Sequence, residues 1–216
     1  MRGLYGLKQS ALGLTNSPEF AKGDMPKNIK DVNRCSSAGL FRLLAILLLC
    51  VPVILLSNTD SLVTLINNSH GSDRINARLD YADAIAKTEI VNAIQNAKLA
   101  LDESLEINAP LLIAKAQFRV AQLFIGSNNN DSAEVYLKLA LPIVRDHHEA
   151  DLSSRIQVEL GKIYQYRGDD LQAMELFNEA IEAAETIENY RLIGTSYSLI
   201  GNIYRVLGAY DEALES

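Results

Sequence analysis

The fold is decided by residues 157–180, QVELGKIYQYRGDDLQAMELFNEA. Gly161 and Tyr164 lie three residues apart and share one face of a helix, where a small residue lets a second helix approach closely and an aromatic ring fills the space beside it. Gly168 follows four residues later, at a place where a helix ends and the left-handed backbone conformation is needed. The first half of the segment therefore predicts a helix that ends in a tight turn.

The second half of the segment predicts another helix, antiparallel to the first. Ala173 opens this helix with a small inward side chain. Phe177 and Ala180 continue the same face, because residues four and seven positions along a helix point in nearly the same direction. The segment therefore forms one unit of two helices joined by a tight turn.

The unit repeats with a period of forty residues. Forty residues downstream, the matching positions are Tyr197, Gly201, Tyr204, Gly208 and Ala213. Forty residues upstream, they are Ala121, Phe124, Asn128, Ala133, Leu137 and Ala140. A further step back gives a degenerate unit that contains Tyr81, Ala84, Ala93, Ala97 and Ala100. Helix pairs repeated in this way predict an all-α solenoid, in which each pair packs on its neighbours.

This pattern resembles the tetratricopeptide repeat, in which a small residue, an aromatic residue three positions later and then Ala-x3-Phe recur in each unit. The residues that match are Gly161, Tyr164, Ala173, Phe177 and Ala180, followed by Gly201, Tyr204 and Ala213. The resemblance covers residues 111–216 and implies a right-handed α-solenoid of antiparallel helix pairs.

The chain departs from the usual tetratricopeptide pattern in two respects. The position that usually holds Trp is occupied by Gln117, Gln157 and Tyr197. The period of forty residues exceeds the usual spacing of about 34. The longer spacing resembles the variant found in bacterial membrane-associated regulatory and sensor proteins.

In this family, positions just before and after the small residue of each first helix face a concave groove that binds partners. Carried onto this chain, the resemblance assigns the groove to Lys115, Phe118, Gln122, Arg155, Val158, Lys162, Gln165, Tyr166, Ser198, Asn202 and Arg205. Basic and amide side chains dominate this set on an otherwise acidic body. Charge complementarity therefore favours an extended peptide with acidic or carboxylate groups as the partner.

The net charge of −7 conceals two parts of opposite sign. Residues 1–42 carry seven basic and three acidic side chains, whereas the remainder carries 13 basic and 24 acidic ones. An acidic body of this kind excludes a nucleic-acid-binding domain. Between the two parts lies the segment 43–56, LLAILLLCVPVILL, which has no charged residue and no amphipathic period.

The apolar segment predicts either a membrane anchor or a signal peptide. Residues 39–57 would span about 28 Å as a helix, enough for a marginal transmembrane segment, whereas the run 43–56 alone suits the apolar part of a cleaved signal peptide. The positive-inside tendency places the basic N-terminus in the cytoplasm and the repeats in the periplasm. We expect a single-pass membrane protein, with secretion after cleavage as the alternative. A cytoplasmic protein would require the segment to pack inside the body.

These predictions divide the chain into five parts. They are a basic cytoplasmic leader expected to be disordered (1–38), a transmembrane or signal-anchor helix (39–57), a polar linker (58–76), a degenerate first repeat (77–110) and tetratricopeptide-like repeats of which the last is truncated (111–216). Residues 1–24 are expected to be an extension upstream of a more conventional leader that Met25 opens.

The sequence shows no constellation of residues for catalysis. His147 and His148 form the one histidine cluster, and neighbouring helical residues point about 100° apart, so two such imidazoles do not converge on one ion without a loop. The glutamates from 175 to 188 recur at helical spacing and predict an outer helix face. Cys35 and Cys50 both precede the repeats. We expect no enzyme activity, cofactor or metal in these residues.

The predicted function is that of a membrane-anchored or exported scaffold, which binds a protein or peptide partner through the concave groove. The alternative is the sensory part of a signalling enzyme, such as a diguanylate cyclase or a histidine kinase, whose catalytic domain lies beyond residue 216. The last unit stops a turn and a half into its second helix, and this favours the hypothesis that the chain is a fragment.

Overall fold

The computed structural model of the protein describes residues 59–216, and all regular structure in that range is α-helical. The helices are α1 (residues 59–68), α2 (Gly71–Ile85), α3 (Ile90–Glu106), α4 (Pro110–Gly126), α5 (Asn130–Asp146), α6 (Ala150–Arg167), α7 (Asp170–Glu185), α8 (Tyr190–Leu207) and α9 (Tyr210–Glu215). The leader predicted for 1–38 and the membrane segment predicted for 39–57 lie outside the described residues.

From α2 onwards, the helices pair in sequence order as α2 with α3, α4 with α5, α6 with α7 and α8 with α9. Each helix packs against its neighbours in sequence, with weaker contacts from α2 to α4 and from α6 to α8. Contacts restricted in this way are typical of a solenoid, in which every repeat touches only adjacent repeats. The predicted all-α solenoid of helix pairs is confirmed for this part of the chain.

The turns within three of the pairs contain a residue in the left-handed conformation. Gly168 has a φ of 83°, Gly208 a φ of 79° and Asn128 a φ of 58°. These are the places at which the sequence pattern put the end of each first helix. The amide of Asp169 then donates to the carbonyl of Tyr164 across 2.9 Å, which satisfies one of the free carbonyls at the end of α6.

The core of each pair is built from small residues of one helix against a large residue of the other. The ring of Phe177 is completely buried and packs directly on the backbone of Gly161. The alanines at the repeat positions are also fully buried, namely Ala121, Ala133, Ala140, Ala173 and Ala180. The repeat positions Phe124, Tyr164, Gly201, Tyr204 and Ala213 are half-buried. Small residues at these places let the helix axes approach, so burial is achieved without bulky side chains.

A buried amide occupies one of the positions at which the family usually has Trp. Gln157 is 3% exposed, and its Nε2 donates to Glu179 Oε2 on α7 across 2.8 Å. Glu179 also accepts from Arg145 on α5. The amide therefore joins the two helices of one pair through a polar contact, where an indole would fill space with apolar surface, and Glu179 links this pair to α5 of the preceding pair through Arg145.

The polar linker expected at residues 58–76 is instead mostly helical over its described part, in α1 and in the first part of α2. Ile75, Leu79 and Ala82 recur every three to four residues and are buried in one core with residues of α3 and α4. Ser72, Asp73 and Asn76 are exposed on the outer face of α2, and polar residues of this kind gave the stretch the composition of a linker. The degenerate first unit accordingly begins at Gly71, before the predicted residue 77.

The single-pass membrane location predicted from the sequence is contradicted and is not carried forward. Among the described helices, none combines the length and the apolar character that crossing a membrane requires.

Candidate partner-binding cleft

The first helices of three successive pairs surround a cleft of about 400 Å³, which we call the α2–α4–α6 cleft. Its lining comprises Asn76, Leu79 and Asp80 of α2, Lys115, Phe118 and Arg119 of α4, and Glu149, Asp151, Leu152 and Arg155 at the start of α6. Because consecutive pairs stack side by side, residues about 40 positions apart meet here.

The floor of the cleft is an aromatic ring covered by a cation. Phe118 is only 4% exposed, and Cζ of Arg155 lies 4.9 Å from its ring centroid. Arg155 is also held by Asp151, whose Oδ2 lies 3.6 Å from its Nη1. Asn189 donates to the other oxygen of Asp151 across 3.1 Å. This arrangement fixes the position of the guanidinium and occupies its charge within the protein.

A second arginine of the cleft is likewise paired. Nη2 of Arg119 lies 2.8 Å from Asp83 Oδ2, and its Nη1 donates to Gln122 Oε1 across 2.9 Å. Burial raises the pKa of Asp83 above its ordinary value, Arg119 opposes the rise, and the nearby carboxylate of Asp80 adds to it. The carboxylates of α2 therefore share one electrostatic environment with the arginines of α4 and α6.

Three charged side chains of the cleft make no ion pair or side-chain hydrogen bond with the described part of the chain. They are the ammonium of Lys115 and the carboxylates of Asp80 and Glu149, and all three are exposed. Groups of this kind are free to bind a charged partner without first breaking a contact inside the protein.

The predicted groove residues do not all lie in this cleft. Lys162 and Tyr166 line a separate cleft of about 700 Å³ beside the α4–α5 turn, together with Asn128 to Asp131. There Lys162 is paired with Glu159 at 3.1 Å, and Tyr166 is 81% exposed. Gln165 is half-buried near the end of α6, whereas Val158 is 3% exposed and is not accessible to a partner.

The remaining predicted groove residues lie at the end of the array. Ser198, Asn202 and Arg205 line a cleft of about 710 Å³ with α9, and Arg205 donates to Asn202 Oδ1 across 2.8 Å. The structure thus brings Lys115, Phe118 and Arg155 together and divides five of the others between two further clefts. Gln122, Val158 and Gln165 line none of these three clefts.

Sequence reasoning missed the carboxylates of the cleft. Asp80 and Asp83 lie in α2, whose beginning was assigned to a linker, and Glu149 and Asp151 lie in and just after the α5–α6 turn. None of them occupies a groove position of the repeat pattern. One feature of the sequence could have indicated two of these carboxylates. Asp80 and Asp83 lie three residues apart, on the polar side of a helical pattern whose apolar side is Ile75, Leu79 and Ala82.

A cluster of charged residues on α5 and α6 has a structural role. Glu134 accepts from the hydroxyl of Tyr164 at 3.0 Å and from Arg167 at 2.6 Å, and it also pairs with Lys138. Burial by itself raises the pKa of Glu134, but these hydrogen bonds outweigh burial and hold the pKa at about 2. The cluster joins the second helix of one pair to the first helix of the next.

The two histidines lie in the turn between α5 and α6. His147 Nδ1 is 2.8 Å from the carbonyl oxygen of Ile143, and His148 has a φ of 55°. Within residues 59–216, no three His, Cys, Asp or Glu side chains are grouped so that they could hold a metal ion.

Comparison with known proteins identifies the repeat. Residues 152–216 match the tetratricopeptide repeat family. No curated protein matches the chain in sequence.

Three solved structures are similar to the chain in fold. BtubC (BKLC) from P. vanneervenii is 20% identical with a TM-score of 0.66, and the match covers 74% of this chain and 69% of that one. Aspartyl phosphate phosphatase F from Bacillus subtilis is 17% identical with a TM-score of 0.65, covering 71% of this chain and 41% of that one. A Rap protein complexed with Competence and Sporulation Factor is 17% identical with a TM-score of 0.53, covering 67% and 50%. At these identities the likeness concerns the fold alone.

Proposed function

We propose that this tetratricopeptide-repeat protein is a non-enzymatic scaffold that binds a protein or peptide partner in the α2–α4–α6 cleft. The observation that carries the proposal is that three successive first helices contribute side chains to one cleft with an apolar floor and a charged rim. Concave surfaces built from adjacent repeats are the surfaces on which solenoid proteins bind partners.

The chemistry of the cleft suits a peptide. Leu79, Leu152 and Phe118 line the cleft but are each less than 10% exposed, so the surface open to a partner is mainly polar, and its unpaired charges supply orientation. A cleft of about 400 Å³ accommodates a few side chains of an extended segment. A precedent for a bound partner on a similar fold is the Rap protein, whose structure is that of a complex with Competence and Sporulation Factor.

The alternative function is the sensory part of a signalling enzyme with a catalytic domain beyond residue 216. It concerns residues outside this chain and stays a prediction. Partner binding in the cleft is compatible with either arrangement, because a sensory module also acts by binding.

The proposal is tested by selecting peptides from a displayed random library against the whole chain and measuring their affinities by calorimetry. Asn76→Trp places a bulky side chain on the exposed rim of the cleft without entering the core. Gln172→Trp is the matched control, because Gln172 is an exposed residue of α7 outside the cleft.

We expect Asn76→Trp to weaken binding by at least about tenfold, the loss of roughly one well-made contact. Gln172→Trp should leave the affinity unchanged, and circular dichroism should show the same helicity in all three proteins. Peptides that bind Asn76→Trp as tightly as the wild type would show that the partner does not occupy this cleft.

A further inference from the structure

We propose that the partner segment in the α2–α4–α6 cleft carries a basic side chain, arginine or lysine, that binds between Asp80 and Glu149. This inference rests on the proposed function and specifies the chemistry of the partner at the same site. It reverses the expectation from the sequence, in which the basic groove positions favoured an acidic peptide.

The arginines of the cleft are already neutralised by the protein. Arg155 is held between Asp151 and the ring of Phe118, and Arg119 is held by Asp83. A carboxylate from a partner would share each guanidinium with an internal carboxylate that already offsets much of its charge, so its gain would be smaller than at an unpaired cation. The two guanidiniums are therefore less available to an acidic ligand than their number suggests.

Within residues 59–216, the side chains of the cleft left unpaired are two carboxylates and one ammonium. Asp80 lies on α2 and Glu149 immediately precedes α6, so they line the cleft from different helix pairs, whereas Lys115 lies on α4 between those pairs. Asp83, the other exposed carboxylate of α2 near this cleft, is engaged by Arg119 and is not counted among the unpaired charges. The excess of unpaired charge is negative, and it favours a cation.

A long basic side chain matches both parts of the cleft. Its aliphatic stem can lie against Leu79 and Leu152, while its charged end reaches the carboxylates at the rim. Arginine suits the position best, because its planar guanidinium donates to two carboxylates at once. Lys115 also lines the cleft and would repel a second basic residue of the partner. We therefore expect the partner segment to contain one basic residue flanked by neutral or acidic residues.

The test uses the peptides selected from the displayed library against the whole chain. We expect them to contain an arginine or a lysine at a constant position. The double variant Asp80→Asn with Glu149→Gln should weaken their binding on the order of tenfold, since each exposed charge pair contributes a modest amount. Replacing the basic residue of the peptide by glutamine should cause the same loss, and the two changes together should cause no further loss.

A matched control separates local pairing from the general field of an acidic protein. Glu175→Gln with Glu182→Gln removes two exposed carboxylates from α7 that make no ion pair in the part of the chain that the structure describes. This variant should bind the peptides as the wild type does. A charge-reversed chain, Asp80→Lys with Glu149→Lys, should select acidic peptides from the same library.

The possible failures are distinguishable. Peptides that lose affinity for Asn76→Trp but are acidic, or are unaffected by Asp80→Asn with Glu149→Gln, overturn this inference and leave the proposed function standing. Peptides that are unaffected by Asn76→Trp, or a library that yields no binder, overturn both.

Discussion

Replacing Gly161 by alanine adds a single methyl group at a close contact between α6 and α7. A Cβ atom at this position would lie 2.4 Å from Cε1, 2.8 Å from Cδ1 and 2.9 Å from Cζ of Phe177. Carbon atoms in favourable contact lie about 3.5–4.0 Å apart. The ring would therefore have to move by about 1 Å to restore an ordinary contact.

The ring has little space into which it could move. Phe177 is completely buried and shares its core with Ala173, Ile181, Ile200 and Ile203. Overpacking of such a core costs about 1–3 kcal/mol, and alanine returns about 1 kcal/mol through its better helix propensity. We expect a net loss of about 0–2 kcal/mol in the free energy of unfolding, and each kcal/mol lost lowers Tm by about 2–4 °C.

The assay is urea unfolding followed by circular dichroism, with Gly194→Ala as the matched control. Gly194 also lies within a helix, but no atom lies within 4 Å of the position of its added Cβ. This control should gain up to about 1 kcal/mol, because only the helix propensity changes. The gain in helix propensity is common to both variants, so Gly161→Ala should be about 1–3 kcal/mol less stable than Gly194→Ala.

A second substitution tests whether the ring itself is the cause. Phe177→Leu, introduced together with Gly161→Ala, makes room for the added methyl group, so it should cost less there than in the wild type. The packing argument is refuted if Gly161→Ala is as stable as Gly194→Ala, or if the two substitutions at residues 161 and 177 are additive.

Three further outcomes follow from the structure. Glu134→Gln should reduce the loss of stability in acid. The pKa of Glu134 is held at about 2 against an ordinary 4.5, so its stabilising effect is present above pH 4.5 and is lost as the pH falls towards 2. Urea unfolding midpoints between pH 5 and pH 2 measure this loss, and the same dependence of the midpoint on pH in both proteins would contradict the prediction. Gly168→Ala should cost about 1–2 kcal/mol in thermal unfolding because of its φ of 83°, whereas Asn128→Gly should not destabilise. Ala173→Asp should unfold much of α6 to α9 and lower the helical circular dichroism signal, because it places a charge at a fully buried position. A circular dichroism spectrum equal to that of the wild type would contradict this prediction.

Much of the fold could be predicted from local sequence. Residue spacing alone predicted turns at Gly168 and Gly208, and both have a positive φ. It also predicted a close approach of helices at Gly161, where Phe177 packs. Such features depend on residues within about twenty positions of each other, and helix geometry fixes their relative directions. The beginning of α2 was not predicted, because its polar outer residues concealed the buried series that includes Ile75 and Leu79.

The candidate site was predicted only in part. Lys115, Phe118 and Arg155 do share a cleft, but the charges available to a partner depend on contacts between different helix pairs. The pairing of Arg119 with Asp83 joins residues 36 positions apart, and Asn189 reaches Asp151 across 38 positions. A linear pattern shows that these charges exist but not which of them are neutralised.

The sequence by itself determined that this protein is a stack of helix pairs, because repeating small and aromatic residues at helical spacing can bury their apolar faces in no simpler way. The tertiary structure decided the chemistry of the cleft. Among the described residues, it leaves Asp80 and Glu149 without an ion pair and engages Arg119 and Arg155. The physical reason is that the charge a surface presents depends on which side chains of separate repeats come within a few ångströms of one another.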